Sequence, residues 1–301
     1  MIAATIIGGL VGLAAALWVS GAYLLARFVT RVRRPTIFDV MALTPYELRI
    51  PHEDMHFKAD DGWPLFGWWI PCQGAERTIV LCSGYRGNKS EVVGLAPFLR
   101  ERGFNIFAVD LRGQGASGLA PVTMGWRESL DVQAAVRATH ERVPSGSVGV
   151  LAYSMGGAAC LLAAASGAKV DAIVTDSAFA SARGVVLHNV REWAHIRGEA
   201  LAPLMDWFLQ RRLGFRLADV DSSQAAARIT CPLLVIHGDA DSMVPVAHAR
   251  AIYEHAPAPK ELWLVPGVNH AGAYFAGRDE YIRRVSAFFA AHLGRGRARN
   301  M

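Results

Sequence analysis

Ser154 lies in the segment Ala152-Tyr-Ser-Met-Gly156, between an apolar run and a run of small residues. The run at 148–151 is typical of a buried strand, and the segment 160–165 is typical of a helix. A serine at such a junction occupies a sharp turn that exposes its hydroxyl, and the turn requires small residues two positions before and after it. The pattern therefore predicts a nucleophilic serine. A serine that only caps the following helix is the alternative.

A base and a carboxylate that could activate this serine follow two later strands. A serine hydroxyl becomes a good nucleophile when a neutral imidazole accepts its proton. A carboxylate on the other ring nitrogen then fixes the tautomer and stabilises the imidazolium. The strand predicted at 233–237 leads to Asp241, and the strand predicted at 261–265 leads to His270. Because reacting groups gather at the carboxyl ends of strands in open α/β sheets, we predict His270 as the base and Asp241 as its orienting carboxylate.

Several residues compete for the same two roles. Asp239 lies two residues from Asp241 and is better suited to the turn itself. Asp176 ends the strand predicted at 170–175, a position from which a carboxylate could also reach the site. Three further histidines compete with the predicted base: His188, His195 and His237.

Two backbone amides are predicted to stabilise the oxyanion of a tetrahedral intermediate, a contribution of typically about 3 kcal/mol for each donor. One is the N–H of Met155, which follows the nucleophile. The other is the N–H of Tyr85 in Ser83-Gly-Tyr-Arg-Gly87, which follows the apolar strand predicted at 78–82. The glycines allow this loop to curl toward a substrate.

The N-terminal segment 2–26 contains no charged residue. As a helix it would span about 37 Å, more than the roughly 30 Å hydrocarbon core of a bilayer. A cleaved signal peptide is the alternative, but it requires a cationic start and a shorter apolar core. We therefore predict an uncleaved membrane helix, and the arginines that follow it favour a cytoplasmic location for the rest of the chain. These are Arg27, Arg31, Arg33 and Arg34.

The net charge of +5 comes from the two ends of the chain. Besides the four arginines after the apolar helix, three more lie near the C-terminus: Arg295, Arg297 and Arg299. These seven exceed the net charge, so the remaining chain has no net positive charge. Since nucleic-acid binding requires a basic face on the folded domain, the composition argues against a nucleic-acid partner.

The cysteines predict neither disulfides nor a metal site. Three of the four lie in or beside segments predicted as strands or helices, which is typical of buried free thiols. No CxxC or CxxH spacing that would suggest zinc occurs in the chain.

Segments typical of strands alternate with segments typical of helices through most of the chain. The strands are apolar throughout, which favours a mostly parallel sheet with helices on both faces. The stretch 178–229 interrupts the alternation and is either a small helical cap over the strand ends or an ordinary pair of helices on the sheet. The predicted organisation is a membrane anchor with its basic juxtamembrane segment at 1–35, an α/β core at 36–177 and 230–294, a cap insertion at 178–229, and a basic tail at 295–301.

Together these motifs resemble the α/β-hydrolase superfamily, in particular its membrane-anchored serine hydrolases and the branch similar to monoglyceride lipase. The chain order Ser154, Asp241, His270 is the order that this superfamily uses. The motifs run through most of residues 53–294: Ser83-Gly-Tyr-Arg-Gly87, Asp110-Leu-Arg-Gly-Gln-Gly-Ala-Ser117, Ala152-Tyr-Ser-Met-Gly156, His237-Gly-Asp-Ala-Asp-Ser-Met-Val-Pro245 and Asn269-His270.

The resemblance implies an eight-stranded α/β-hydrolase fold and hydrolysis through an acyl-enzyme, without a metal or organic cofactor. It also implies that Asp110 and Arg112 hold their loop together and do no chemistry. Two positions depart from the family pattern: Ala152 replaces the usual glycine, and Ser83 replaces the histidine with which many relatives begin the oxyanion loop. Neither departure removes a reacting group.

The leading hypothesis is a membrane-anchored serine hydrolase that cleaves carboxylic esters. Small-molecule, lipid and other acylated esters are all included among its candidate substrates. A peptidase or amidase is the second hypothesis, because the same triad cleaves amides. A tethered, non-catalytic binding protein that kept the fold is the third.

Overall fold

The fold is described from a computed structural model, which covers residues 1–33, 42–195 and 198–294. The predicted basic tail at 295–301 lies outside the described residues, as do Arg34 and the first part of the connector that follows it.

The centre of the molecule is an eight-stranded sheet with the order β1-β2-β4-β3-β5-β6-β7-β8. The pairs β1–β2 and β2–β4 are antiparallel, and the other pairs are parallel. The mostly parallel eight-stranded sheet predicted from the sequence is confirmed. Its strands are β1 Glu53–Lys58, β2 Pro64–Ile70, β3 Arg77–Cys82, β4 Asn105–Asp110, β5 Ser147–Tyr153, β6 Ala172–Asp176, β7 Leu233–Gly238 and β8 Lys260–Val265.

The described residues form ten α-helices along with several short 3-10 turns. The helices are α1 Ile2–Val29, α2 Ala96–Arg100, α3 Glu128–Arg142, α4 Met155–Ala165, α5 Ala182–Ala194, α6 Ala202–Leu213, α7 Ser222–Ala226, α8 Ala247–His255, α9 Ala273–Ala276 and α10 Arg278–His292.

The central strands are apolar throughout because both faces of the sheet are covered. Successive side chains of a strand point to opposite faces. In β3, Val80 and Cys82 pack with α3, α4, α7 and α8 on one face. Ile79 and Leu81 pack with α2 and α10 on the other. The buried faces of these strands supply the two main apolar clusters, which fix where each strand ends.

Helices α5 and α6 leave the sheet layer and build a third apolar cluster with the end of α1. The chain departs and returns at one place, since Ala182 N donates to Val220 O over 3.0 Å and Ser222 N donates to Ala180 O over 2.7 Å. Helix α7 follows this junction and packs with the sheet-face helices. The helical stretch is therefore divided between α5 and α6, which we refer to together as the cap, and α7, which packs with the helices on the sheet.

Helix α1 has two parts with different surroundings. Its segment Thr5–Val29, with a mean hydropathy of 1.8, is by length and composition long and apolar enough to cross a membrane. Residues 5–20 are exposed all around the helix, whereas Ala22, Ala26 and Val29 are buried against the folded body. Tyr23 packs edge-on against Phe208 of α6, with 5.2 Å between the ring centroids. The C-terminal part of α1 is thus built into the cap.

A buried ion-pair network holds the loop after β4. Arg112 Nη2 lies 2.6 Å from Asp131 Oδ1, and both side chains are almost fully buried. Arg112 also bonds Asp61, with 2.6 Å between Nη1 and Oδ2. Asp110 accepts hydrogen bonds from Lys89 Nζ and from the backbone of this loop. These contacts agree with a structural role for Asp110 and Arg112.

We expect Asp131→Ala to lower the free energy of unfolding by about 3 kcal/mol, because it leaves part of a buried guanidinium charge without its partner. Asp60→Ala is the matched control: the Arg137–Asp60 pair has a comparable distance, 2.9 Å, but both side chains are exposed. The control should change stability by less than about 1 kcal/mol. Urea unfolding of both variants in the same detergent measures the difference. Equal losses in the two variants would contradict the assignment.

Candidate active site

The turn between β5 and α4 holds Ser154 in an unusual backbone conformation, with φ 49° and ψ −117°. A non-glycine residue in this region is strained and persists only when its surroundings enforce it. Here the Ser154 N–H donates to Asp176 O over 2.8 Å, and α4 begins at the next residue. A Cβ at Gly156 would overlap the carbonyl oxygen of Ser83. The small residue predicted at this position is therefore a steric requirement.

The structure brings Ser154, His270 and Asp241 together in one hydrogen-bonded chain. His270 Nε2 lies 3.1 Å from Ser154 Oγ. His270 Nδ1 lies 2.7 Å from Asp241 Oδ2. Because a carboxylate accepts and does not donate, the ring proton belongs on Nδ1, which leaves Nε2 free to accept the serine proton.

Asp241 is held as a fully buried carboxylate by donors on its other oxygen. Its Oδ1 accepts from Met243 N over 2.9 Å and from Val244 N over 2.8 Å. Hydrogen bonds to a carboxylate favour the charged form and offset the cost of burying it. The second oxygen faces His270. In the turn after β7, one carboxylate oxygen of Asp241 thus faces the imidazole, and the other accepts hydrogen bonds from the backbone of the turn itself.

His237, the sequence-based competitor of His270, lies next to Asp241. Its Nε2 is 2.8 Å from Val244 O, so this nitrogen is the donor. The same nitrogen lies 3.4 Å from Asp241 Oδ2. Burial lowers the pKa of His237, which favours a neutral ring in contact with the acid loop. It does not contact Ser154 in the described structure.

Asp239, His188 and His195 occupy structural positions away from the nucleophile. Asp239 accepts from Gly267 N over 2.6 Å, a contact between two turns. His188 Nε2 lies 3.0 Å from Ser242 O, and His195 is exposed at the C-cap of α5.

Asp176 lies near the site but has different partners from Asp241. Its Oδ1 accepts from Ser177 Oγ over 3.0 Å, and its Oδ2 has no hydrogen-bond partner among the described residues. Ser177 Oγ in turn accepts from Ala271 N over 2.9 Å. Burial raises the pKa of Asp176 to about 6. Asp241, predicted for the acid position, is the carboxylate hydrogen-bonded to His270, and its competitors Asp176 and Asp239 have other partners.

The loop after β3 lies directly against the nucleophile. A Cβ built on Gly84 would stand 3.2 Å from Ser154 Cβ, so the loop carrying Tyr85 packs tightly against the serine. Among the described residues the Tyr85 amide donates no backbone hydrogen bond. The Met155 amide is the first of α4, a position with no intrahelical acceptor. In the described structure neither of the two predicted donors is therefore engaged by a backbone acceptor.

Gln114 anchors this loop through hydrogen bonds. The sequence did not indicate this role. Its Oε1 accepts from Ser83 Oγ over 3.0 Å, and its Nε2 donates to Gly84 O over 2.8 Å. Serine at position 83 therefore supplies a hydroxyl that anchors the loop to the turn after β4. No local pattern marks Gln114, because its partners lie about one strand and one helix earlier in the chain.

A cavity of about 670 Å³ opens above Ser154, within the size range of ligand sites. Its lining is mostly apolar and comes from the cap, from the loop after β7 and from the C-terminal part of α1. The sequence does not indicate that α1 reaches this site. The described residues contain no group of three or more His, Cys, Asp or Glu that could hold a metal ion.

Comparisons with known proteins agree with this architecture. Residues 77–218 match a family described as the alpha/beta hydrolase fold. YfhR of Escherichia coli (strain K12) is 30% identical over 231 residues, 74% of this chain and 74% of YfhR. The alpha/beta hydrolase domain-containing protein WAV2 of Arabidopsis thaliana is 26% identical over 261 residues, 82% of this chain and 81% of WAV2. A structure of the Pyrococcus furiosus esterase Pf2001 has a TM-score of 0.70 and 25% identity, covering 83% of this chain and 95% of that one.

We expect Gly156→Ala to displace either the turn at Ser154 or the loop at Ser83. Such a displacement should lower the reactivity of Ser154 toward a fluorophosphonate about 100-fold, because misplacing a reacting group by about 1 Å has effects of that size. Gly277→Ala is the control, since its Cβ would meet nothing closer than 4.0 Å. Labelling rates of both variants give the comparison. A Gly156→Ala protein that labels at the rate of the control would contradict the steric argument.

Proposed function

We propose that this chain, which belongs to the α/β-hydrolase superfamily, is a serine hydrolase that cleaves carboxylic esters through an acyl-enzyme. The observation that supports the proposal is the continuous contact from Ser154 Oγ to His270 and on to Asp241, over 3.1 Å and 2.7 Å. The loop that carries Tyr85 borders the same serine. A nucleophile, a base, an orienting carboxylate and oxyanion donors are the groups that acyl transfer needs.

In the proposed reaction, His270 Nε2 accepts the proton of Ser154 as Oγ attacks the ester carbonyl. The negative charge that develops on the carbonyl oxygen accepts hydrogen bonds from the amides of Tyr85 and Met155. The positive N-terminal end of α4 adds to this stabilisation. His270 then donates its proton to the leaving alcohol, which departs and leaves an acyl-serine. Water, activated by the same imidazole, releases the carboxylic acid and restores the hydroxyl.

The apolar character of the cavity supports an ester with an apolar acyl group. The cap and α1 present few polar atoms above Ser154, so a peptide backbone would lose its hydration there without replacement hydrogen bonds. The similar Pyrococcus furiosus structure is also named an esterase. An amidase or peptidase remains the second hypothesis, because the same triad can protonate an amine leaving group.

Helix α1 is proposed as an uncleaved membrane anchor. It ends beside Arg27 and Arg31, both exposed, and cationic residues next to a membrane helix favour the cytoplasmic side. The folded body is therefore proposed to lie on the cytoplasmic face of a membrane. The end of α1 is buried in the cap, which supports retention of the helix, because its removal would expose the third apolar cluster.

We expect a fluorophosphonate probe to label the full-length chain, and Ser154→Ala to abolish that labelling. His270→Ala and Asp241→Asn should reduce the rate by about 10⁴-fold, as loss of the base or of its correct tautomer does in other triads. Ser166→Ala is the matched control, an exposed serine at the opposite end of α4, and should label normally. A folded wild-type chain that takes no label would favour the non-catalytic binding hypothesis.

Esters and amides of one acyl group separate the two enzymatic hypotheses. We expect the ester to be hydrolysed with the higher kcat/KM, and Ser154→Ala to remove the activity. Preference for the amide would instead support the peptidase or amidase hypothesis.

A further inference from the structure

We propose that the C-terminal part of α1 is one wall of the substrate site, and that the enzyme accepts the long acyl chain of an ester directly from the bilayer. The inference rests on the proposed ester hydrolysis and adds the substrate class to it: esters whose acyl chain is embedded in the membrane that holds α1.

The cavity above Ser154 lies between two helices of different origin. Leu24, Leu25 and Phe28 of α1 line one side, and Val186, Val190 and Trp193 of α5 line the other. Ser154 lies in the same lining. A chain that occupies the space between α1 and α5 is therefore in contact with the membrane helix while its ester group is at the nucleophile.

The wall formed by α1 is fixed to the catalytic body. Ala22 and Ala26 are fully buried, and α1 packs against α6. The Tyr85 hydroxyl donates to Val29 O, at the end of α1, over 2.9 Å. Because the amide of Tyr85 is a proposed oxyanion donor, the membrane helix also braces the loop that stabilises the reaction. The contact places α1 in the site and excludes a freely moving tether.

The exposed part of α1 has the length of a bilayer core. Residues 2–20 precede the part packed on the body, and 19 residues of helix span about 28 Å, close to the roughly 30 Å of hydrocarbon. If this part fills the bilayer, the body rests against the membrane surface. The cavity, which begins at Gly21, then opens at the boundary between hydrocarbon and headgroups.

The surroundings of the cavity fit that boundary. Leu24, Phe28 and Trp193 line the cavity and are nevertheless exposed, by 62%, 48% and 68%. A group of exposed apolar side chains marks a surface that contacts another apolar phase. Trp18 and Arg27 lie on either side of this level of α1, where aromatic and cationic residues meet headgroups. The apolar surface is continuous with the exposed helix.

The free energy of transfer favours an acyl chain that enters the cavity from lipid over one that enters from water. An acyl chain that passes from hydrocarbon into an apolar cavity exchanges one apolar environment for another, so extraction costs little. The same chain drawn from water would gain up to about fourfold in kcat/KM for each methylene buried. For an acyl chain that comes from lipid, selectivity for long chains should therefore depend on the free space between α1 and α5.

A side chain added on α1 tests the wall. Gly21 lines the cavity, and a Cβ there would meet no atom within 4 Å. In phosphatidylcholine vesicles we expect Gly21→Trp to lower the ratio of kcat/KM for nitrophenyl palmitate to that for nitrophenyl butanoate by about tenfold or more, because the indole takes up space that the long chain needs and the short chain does not. Gly12→Trp is the matched control, because its Cβ is equally unobstructed but lies in the exposed part of α1. It should leave the ratio at the wild-type value.

Three outcomes are distinguishable. A wild-type chain that hydrolyses neither ester would overturn the proposed function itself. Ester hydrolysis with a wild-type ratio in Gly21→Trp would overturn only the role of α1. If Gly21→Trp does not fold, Leu24→Trp enlarges an exposed α1 side chain that lines the same cavity and must lower the ratio for the inference to stand.

A long-chain ester placed either in the vesicles that contain the enzyme or in separate vesicles tests whether the acyl chain is delivered from the bilayer. We expect rapid hydrolysis only in the shared vesicles, because transfer between vesicles requires passage through water. Equal initial rates from the two populations would overturn delivery from the bilayer.

Discussion

The left-handed backbone at Ser154 is the constraint on which the site depends. The residue directly follows β5, which pairs with β3 on one side and β6 on the other, so the point at which the turn begins is fixed by the sheet. To begin α4 at the next residue, the chain must turn sharply, and it then passes under the Ser83 carbonyl at Gly156. The same close approach that strains the serine brings the loop of Tyr85 beside it. One steric arrangement thus positions both the proposed nucleophile and the loop of the proposed oxyanion donor.

Environment determines which of two neighbouring carboxylates faces the imidazole. Asp176 is the last residue of β6 and Asp241 follows the adjacent strand β7, and both are buried. Asp241 receives two backbone N–H groups on one oxygen and the imidazole on the other. Asp176 receives one hydroxyl, and burial raises its pKa. Hydrogen-bond donors favour the ionised form, whereas burial without enough of them favours the neutral form. The two carboxylates therefore differ in the hydrogen-bond donors that surround them.

Helix α1 combines two features that are usually separate, an exposed apolar surface and a wall of the cavity above Ser154. Its first part is an apolar surface with no protein partner in the described structure, and its last part is a wall of the cavity above Ser154. Tyr85 connects the end of the helix to the loop beside the nucleophile. Location and substrate choice are consequently linked through one element: the helix that would hold the protein in a bilayer also borders the space that an acyl chain would occupy.

Local sequence was sufficient for much of the fold and for the identity of the proposed reacting residues. Apolar runs determine the strands of a sheet covered on both faces, and small residues around Ser154 satisfy a steric requirement within five positions of the chain. These features depend on neighbours in sequence, which a pattern can display. The contact between Asp241 and His270, the hydrogen bonds by which Gln114 anchors the loop after β3, and the place of α1 in the cavity depend on contacts between distant segments. Tyr85 and Val29 are 56 positions apart, and neither has a local signal for the other, because their contact exists only after the sheet, the cap and α1 have packed together.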